Sequence, residues 1–140
     1  MDNCIFCKIL AGKAPANVVY EDEVCIVFMD IQPVTPGHML VVPRQHFVGL
    51  SDLKEEIGGH LFRVGQRMAT ALKQSKIPCE GVNLFLADGE VAFQTVFHVH
   101  LHVIPRTSGD GFRLIFGPQY KNLPERERLE QIANQIKLAL

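Results

Sequence analysis

The stretch TVFHVHLHVIPR, residues 95–106, sets three of the chain's six histidines at alternate positions with apolar residues between them. Few backbone conformations can use that pattern. Successive side chains of a strand point to opposite faces. A strand here turns Phe97, Val99, Leu101 and Val103 toward a core and lines up His98, His100 and His102 on the other face, each ~6.5–7 Å from the next. The β-branched and aromatic neighbours favour a strand over residues 96–104, which Pro105 ends. Imidazoles on such a rigid platform suit proton transfer, nucleophilic attack or metal binding near neutral pH.

The same reading runs along the chain. Residues 4–11 form a short helix stopped by Gly12 and Pro15. VVYED and EVCIVFMD read as two strands joined by a tight turn near Glu21–Glu23. IQPVTPGHM is a loop punctuated by Pro33, Pro36 and Gly37, and HMLVVPRQH is a third strand closed by Pro43. Ser51 caps a helix with apolar residues at Leu53, Ile57, Leu61, Val64, Met68 and Leu72, in steps of three and four. GVNLFLADG is a fourth strand, TSGDGF a loop, and Pro124 opens a final helix with Leu129, Ile132, Ile136 and Leu140 on one face. Strands in one run with mostly short connections imply an α+β fold, a five-stranded antiparallel sheet with one long helix and a C-terminal helix.

Composition narrows the function classes. A chain of 140 residues is expected to form one domain, residues 1–140, around one core. With 47% hydrophobic and 21% charged residues it reads as an ordinary soluble protein. A net charge of -1 with scattered basic residues argues against nucleic acid as a partner. No apolar run approaches a membrane span, and MDNCIFCKILAGK lacks the basic start of a secretory signal, so a cytoplasmic location is expected. In that setting the four cysteines read as reduced thiols or metal ligands rather than disulfides.

HVHLHVI, from His98 to Ile104, resembles the H-φ-H-φ-H-φ-φ motif (φ apolar) of the histidine triad (HIT) family. The resemblance extends over CIFCKILAG, VYEDE, FMDIQPVTPGHMLVVPRQH and FQTVFHVHLHVIPR, in the order expected of bacterial HIT proteins. It is similar to the branch of diadenosine tetraphosphate hydrolase and the nucleoside phosphoramidases. That implies a homodimeric hydrolase or transferase that takes a purine nucleotide and cleaves at its α-phosphate, with no organic cofactor. The middle histidine, His100, would attack phosphorus and form a nucleotidyl-imidazole that water cleaves. His98 and His102 would bind phosphoryl oxygens and assist the leaving group. The chemistry agrees, because a neutral imidazole nucleophile splits a difficult displacement into two easier steps.

The resemblance also implies a nucleotide site. Asp30 would accept hydrogen bonds from the ribose diol, Gln94 and Thr95 would meet phosphate or leaving-group oxygens, and Ile5, Phe6, Phe28 and Ile31 would enclose the base. Two positions depart from the family pattern: Ala87 stands where relatives often carry Asn or Gln, and Phe93 where glycine is common. Bacterial relatives often hold a structural zinc, whose ligands here would be Cys4, Cys7, His46 and His98. Two thiolates and two imidazoles suit a closed tetrahedral site. Cys25 and Cys79 read as structural.

Two other functions use the same residues. A metal-dependent hydrolase could chelate through the His-x-His strand, with a third ligand from His38, His46 or His60. A non-catalytic nucleotide-binding module would bind without turnover.

Overall fold

The computed structural model describes residues 3–140. They fall into two compact units, the first ending at Asp110 and the second spanning Gly111–Leu140. The first unit contains α1 (Ile5–Leu10), β1 (Val18–Glu21), β2 (Cys25–Met29), β3 (Met39–Pro43), α2 (Glu55–Gln74), β4 (Gly81–Phe85) and β5 (Leu101–Arg106). All four strand pairings are antiparallel, in the order β1-β2-β3-β5-β4. The fold is α+β, as the order of elements implies.

Both faces of the sheet are covered. Leu61, Val64, Met68 and Leu72 of α2 pack on Val27, Val41, Leu101 and Val103. On the opposite face Phe6 of α1 packs with Ile26, Phe28, Leu40 and Val42. Strands buried on both sides read as continuous apolar runs rather than alternating ones, which is the pattern of CIVFM and MLVVP. Gly65 lets α2 approach β5, because a Cβ there would lie 2.8 Å from Leu101 Cδ2.

Three expected boundaries move. The long helix begins at Glu55 with Lys54 as its cap, not Ser51. Residues 50–53 instead close a turn through the Leu53 N–H to the Leu50 carbonyl, and Glu55 and Glu56 supply the acidic first turn. The fifth strand starts at Leu101 rather than residue 96 and runs through Pro105. The β3–β5 ladder covers only Met39–Val103 to Val41–Leu101, so Pro105 is paired to β4 alone, where a residue without an N–H is tolerated. Phe97, expected in the core, is half exposed as a result, while Val99, Leu101 and Val103 are buried.

The second unit holds a 3-10 turn, Pro118–Lys121, and α3 (Arg126–Lys137). Leu129, Ile132 and Ile136 lie on α3, but Leu140 falls beyond its last residue. Among the described residues no helix is long and apolar enough to cross a membrane.

Candidate active site

The ladder between β3 and β5 stops at the Val41–Leu101 pair, so residues 98–100 lie outside it and find other partners. Val99 donates its N–H to the Phe47 carbonyl at 2.7 Å. His98 is fully buried, and its Nε2–H donates to the Pro43 carbonyl at 2.8 Å. Its unprotonated Nδ1 therefore faces Cys4 Sγ at 3.4 Å and Cys7 Sγ at 3.6 Å. The Nδ1 of His46 approaches Cys7 Sγ at 3.3 Å.

All four ligand atoms lie within 4.8 Å of one another. Bonds of ~2.3 Å to sulfur and ~2.0 Å to nitrogen give a tetrahedron with an S···N edge of about 3.6 Å. The observed separations fit that figure. The His98–Pro43 hydrogen bond also fixes the tautomer and ring orientation that a ligating imidazole needs. Burial and the neighbouring Cys4 thiol push the Cys7 thiol up, and a cation in the cluster would offset both by replacing the proton.

His100 is held in the opposite tautomer. Its Nδ1–H donates to the His98 carbonyl at 2.8 Å, leaving Nε2 unprotonated. Phe6 meets the ring edge-to-face, with centroids 5.1 Å apart. Burial pushes its pKa down, which favours the neutral ring despite the His98 carbonyl and the more distant Asp30 carboxylate.

His102 on β5 is oriented by His38, a residue that sequence reading considered only as a metal ligand. His38 Nδ1 accepts the Val34 N–H at 3.1 Å, so its proton sits on Nε2 and is donated to His102 Nδ1 at 2.9 Å. His102 thus carries its own proton on Nε2. Burial, then the neighbouring His100 and His38 rings, push its pKa down to about 4. Asp30 Oδ2 stands 3.6 Å from His38 Nε2, and Asp30 Oδ1 accepts the Gln32 N–H at 2.8 Å.

Asp30, His38 and His102 could also be read as a metal group. The 2.9 Å between the two ring nitrogens is a hydrogen-bond distance. Two nitrogens on one tetrahedral metal would stand about 3.3 Å apart. His60, the remaining ligand candidate, is bonded to Asp22 at 2.7 Å.

His100 and His102 open onto a cavity of about 410 Å³. Ile5, Phe6, Phe28 and Ile31 form part of its apolar wall, extended by Ile9, Pro15 and Leu40. Asp30 and Thr95 lie on the same cavity. Ile31 is almost fully exposed, so it is rim rather than core.

Two candidate residues are placed elsewhere. His98 does not line the cavity, and it is hydrogen-bonded to His100 through its backbone carbonyl. Gln94 is buried: its amide donates to the Val48 and Val96 carbonyls, and its oxygen accepts the Gly89 N–H at 2.8 Å. Those bonds close the loop that presents Thr95. Cys25 is fully buried in the core, where burial pushes its thiol up to about 12. Cys79 donates to the Gly81 carbonyl.

The departures at Ala87 and Phe93 acquire a structural meaning. Ala87 is buried and does not line the cavity. Phe93 is the one non-glycine residue at positive φ among the described residues, at φ 71° and ψ 24°, with its side chain mostly exposed. A left-handed conformation costs an L-residue roughly 1–2 kcal/mol, which glycine avoids at some entropic cost in the unfolded chain. Phe93→Gly is expected to stabilise the protein by about 0.5–1 kcal/mol in urea unfolding. Unchanged or lower stability would show that the aromatic side chain makes packing contacts that offset the strain.

The comparisons with known proteins agree with this geometry. A family model described as HIT domain matches residues 11–109. A HIT family protein from Bacillus anthracis, solved at 2.01 Å, superposes with a TM-score of 0.90 at 43% identity, covering 99% of this chain and 98% of that one. A Zn-bound histidine triad family protein from Mycobacterium smegmatis superposes with a TM-score of 0.77 at 40% identity, covering 99% of each chain. Adenosine 5'-monophosphoramidase hnt1 of Schizosaccharomyces pombe is 31% identical over 137 residues, 96% of this chain and 99% of that protein.

Proposed function

The chain belongs to the HIT domain family, and from that premise we propose that it is a nucleotidyl hydrolase that cleaves nucleoside phosphoramidates or dinucleoside polyphosphates at the α-phosphate, through a covalent intermediate on His100. The observation that carries the reading is the Nδ1–H of His100 donated to the His98 carbonyl, which leaves a neutral Nε2 lone pair at the cavity that Asp30 also lines. The relationship to a fungal adenosine 5'-monophosphoramidase supports it.

In the first step the Nε2 lone pair of His100 forms a bond to phosphorus as the bond to the leaving group breaks. The leaving group keeps the bonding electron pair and takes up a proton. The ring becomes cationic, and the His98 carbonyl stabilises it by accepting its Nδ1–H. The Nε2–H of His102 and the Thr95 hydroxyl are the donors available to phosphoryl oxygens. In the second step water attacks phosphorus, restores the neutral imidazole and releases the nucleoside monophosphate and a proton.

Cys4, Cys7, His46 and His98 would hold a zinc ion, a reading supported by their separations and by the Zn-bound mycobacterial relative. Bound there, zinc supplies cross-linking of α1 to the chain around His46 and His98. Four protein ligands leave no position for a metal-bound water.

The test is a turnover panel of adenosine 5'-phosphoramidate, diadenosine tri- and tetraphosphate and sugar nucleotides, resolved by HPLC with and without EDTA. Release of nucleoside monophosphate that persists while chelated protein stays folded supports the reading. Activity lost to EDTA and restored by zinc in folded protein favours a metal-dependent hydrolase. Affinity without turnover favours a binding module.

Asp30 supplies a further prediction. With one oxygen held by the Gln32 N–H, the carboxylate is oriented toward the cavity as an acceptor for a ribose diol. Asp30→Ala is expected to weaken ribonucleotides more than 2'-deoxy analogues, by about 1.5–3 kcal/mol for a hydrogen bond to a charged acceptor. Equal losses for both ligands in calorimetric titration would make Asp30 a turn residue only.

A further inference from the structure

Cys4 and Cys7 carry a chemistry of their own besides metal binding. Both thiols are free and only partly buried, whereas Cys25 is sealed in the core. The Lys8 N–H to Cys4 carbonyl bond makes residues 4–8 one helical turn. Cys4 Sγ accepts the Cys7 N–H at 3.5 Å, so the first side chain is folded over that turn toward the second. Both sulfurs reach the same nitrogen, His98 Nδ1, at 3.4 and 3.6 Å, and they stand within 4.8 Å of each other. Residues three apart on a helical turn have Cα atoms about 5 Å apart. Disulfides join Cα atoms separated by roughly 4.4–6.8 Å. A Cys4–Cys7 bond can therefore close by side-chain rotation, without unwinding α1.

Oxidation changes what the pair can hold. A thiol donates a hydrogen bond and a thiolate ligates a metal, but a disulfide sulfur has neither proton nor charge. Forming the bond takes both sulfurs from His98 Nδ1, and takes Cys7 Sγ from His46 Nδ1, which it meets at 3.3 Å. α1 then loses its tie to the chain beyond β3 and to the segment entering β5. The residues enclosed between the two cysteines are Ile5 and Phe6, both of which line the cavity onto which His100 opens. Phe6 keeps its edge-to-face contact with Phe28, with centroids 5.4 Å apart, so the wall slackens rather than departs. His100 keeps its bond to the His98 carbonyl. The effect falls on binding and leaves the nucleophile in place.

We propose that Cys4 and Cys7 form a reversible oxidation site. Hydrogen peroxide closes them into a disulfide, which expels zinc and slackens the α1 wall of the cavity, and a dithiol reductant reopens them. One sulfur attacks a peroxide oxygen as the O–O bond breaks, giving a sulfenic acid and a hydroxide that takes up a proton to become water. The second sulfur then attacks the first as its S–O bond breaks, and the departing hydroxide takes up another proton. The two sulfurs give up two electrons, which the peroxide accepts. The two protons come from the thiols, or from solvent when the sulfurs start as zinc-bound thiolates and release the divalent cation. Thiol–disulfide exchange with a dithiol returns both electrons and protons. In a reducing compartment such a pair rests reduced and forms a disulfide only transiently. The oxidation stands apart from the nucleotidyl hydrolase reading, and only its effect on nucleotide affinity rests on that reading.

The experiment treats the purified wild-type chain with hydrogen peroxide, alkylates the remaining thiols and maps them by mass spectrometry. The tryptic peptide ending at Lys8 holds both cysteines. It is expected to escape alkylation and to be lighter by two hydrogens, until dithiothreitol restores it. Zinc added before the peroxide is expected to slow the closure about tenfold, because it binds the reduced pair alone. The oxidised chain is expected to melt at a lower temperature and to bind AMP about fivefold more weakly in calorimetric titration, since its wall is less preorganised. Both properties recover with dithiothreitol and zinc. Cys4→Ser is expected to give no reversible product, and should that variant not fold, the wild-type peptide map alone decides. Cysteines that stay alkylatable, or that pass to sulfinic and sulfonic acids beyond the reach of dithiothreitol, overturn the site. A closure rate indifferent to zinc overturns the expulsion of metal, and a disulfide that leaves melting temperature and AMP affinity unchanged overturns the coupling to the cavity. Reduced wild-type protein that binds no AMP counts against the nucleotide reading itself, a different result, and the peptide map still judges the oxidation.

Discussion

His100→Asn is expected to retain nucleotide affinity and lose turnover by about three orders of magnitude or more, since the two-step route disappears with the nucleophile. Asparagine has roughly the shape of the imidazole and keeps an amide donor near the His98 carbonyl, so the cavity between Phe6 and Thr95 is preserved. What it lacks is a lone pair able to displace at phosphorus. Affinity of the variant for AMP, measured calorimetrically beside single-turnover kinetics, separates binding from chemistry. Near wild-type turnover by this variant would refute the covalent role of His100. The nucleophile also makes a pH prediction. Burial lowers the His100 pKa, so the ring takes a proton only below the ordinary histidine value. The acid limb of kcat/KM is therefore expected below pH ~6.5, with the unprotonated, active form fully populated above it. An acid limb above that value would mean that a different group controls the reaction.

The sequence made the chemistry more legible than the geometry. Alternation along residues 97–103 foretold the burial of Val99, Leu101 and Val103, although only the later part of that stretch is paired in the sheet. What it could not foretell was where the pairing ends, because that depends on β3, some 60 residues earlier in the chain. The error at Phe97 follows directly from that boundary. His38 was missed as the partner that fixes the His102 tautomer for the same reason. It lies in a loop segment, TPGHM, and only the Leu40–His102 register brings it to 2.9 Å from the His102 ring. The phosphate contact expected of Gln94 came from the family resemblance, which carries no information about this side chain's own partners. Its burial depends on the Val48 carbonyl, 46 residues away. Phe93 did carry a signal through the family resemblance: its place where relatives commonly have glycine foreshadowed the positive φ. The cysteine and histidine set was found through the family resemblance, since a C-x-x-C pair alone does not say which imidazoles join it.

The double variant Cys4→Ser, Cys7→Ser is expected to lower the melting temperature by about 10 °C and to raise KM, while kcat stays within about tenfold of wild type. The reasoning starts from the spacing of the two ligands. Cys4 caps α1 and Cys7 lies inside it, so the two residues between them, Ile5 and Phe6, are fixed by the same turn. Ile5 and Phe6 are also walls of the cavity onto which His100 opens. Through His98 and His46 the cluster ties that wall to the chain just beyond β3 and to the segment entering β5. A structural metal contributes its binding free energy to folding, because the unfolded chain offers no formed site. Losing it frees α1, which loosens the base-binding wall and raises KM. His100 depends on the cluster only through the His98 carbonyl, and His98 keeps its bond to the Pro43 carbonyl when the thiols are gone. The nucleophile therefore remains oriented, and kcat is affected far less than by His100→Asn. Metal analysis of untagged protein, melting curves and steady-state kinetics form the test. About one zinc per wild-type chain, absent from the variant together with the lower melting temperature, is the expected result. A collapse of kcat in a variant that is still folded would give the metal a part in the chemistry. Wild-type protein without zinc, and a variant as stable as wild type, would reduce the two cysteines to bystanders.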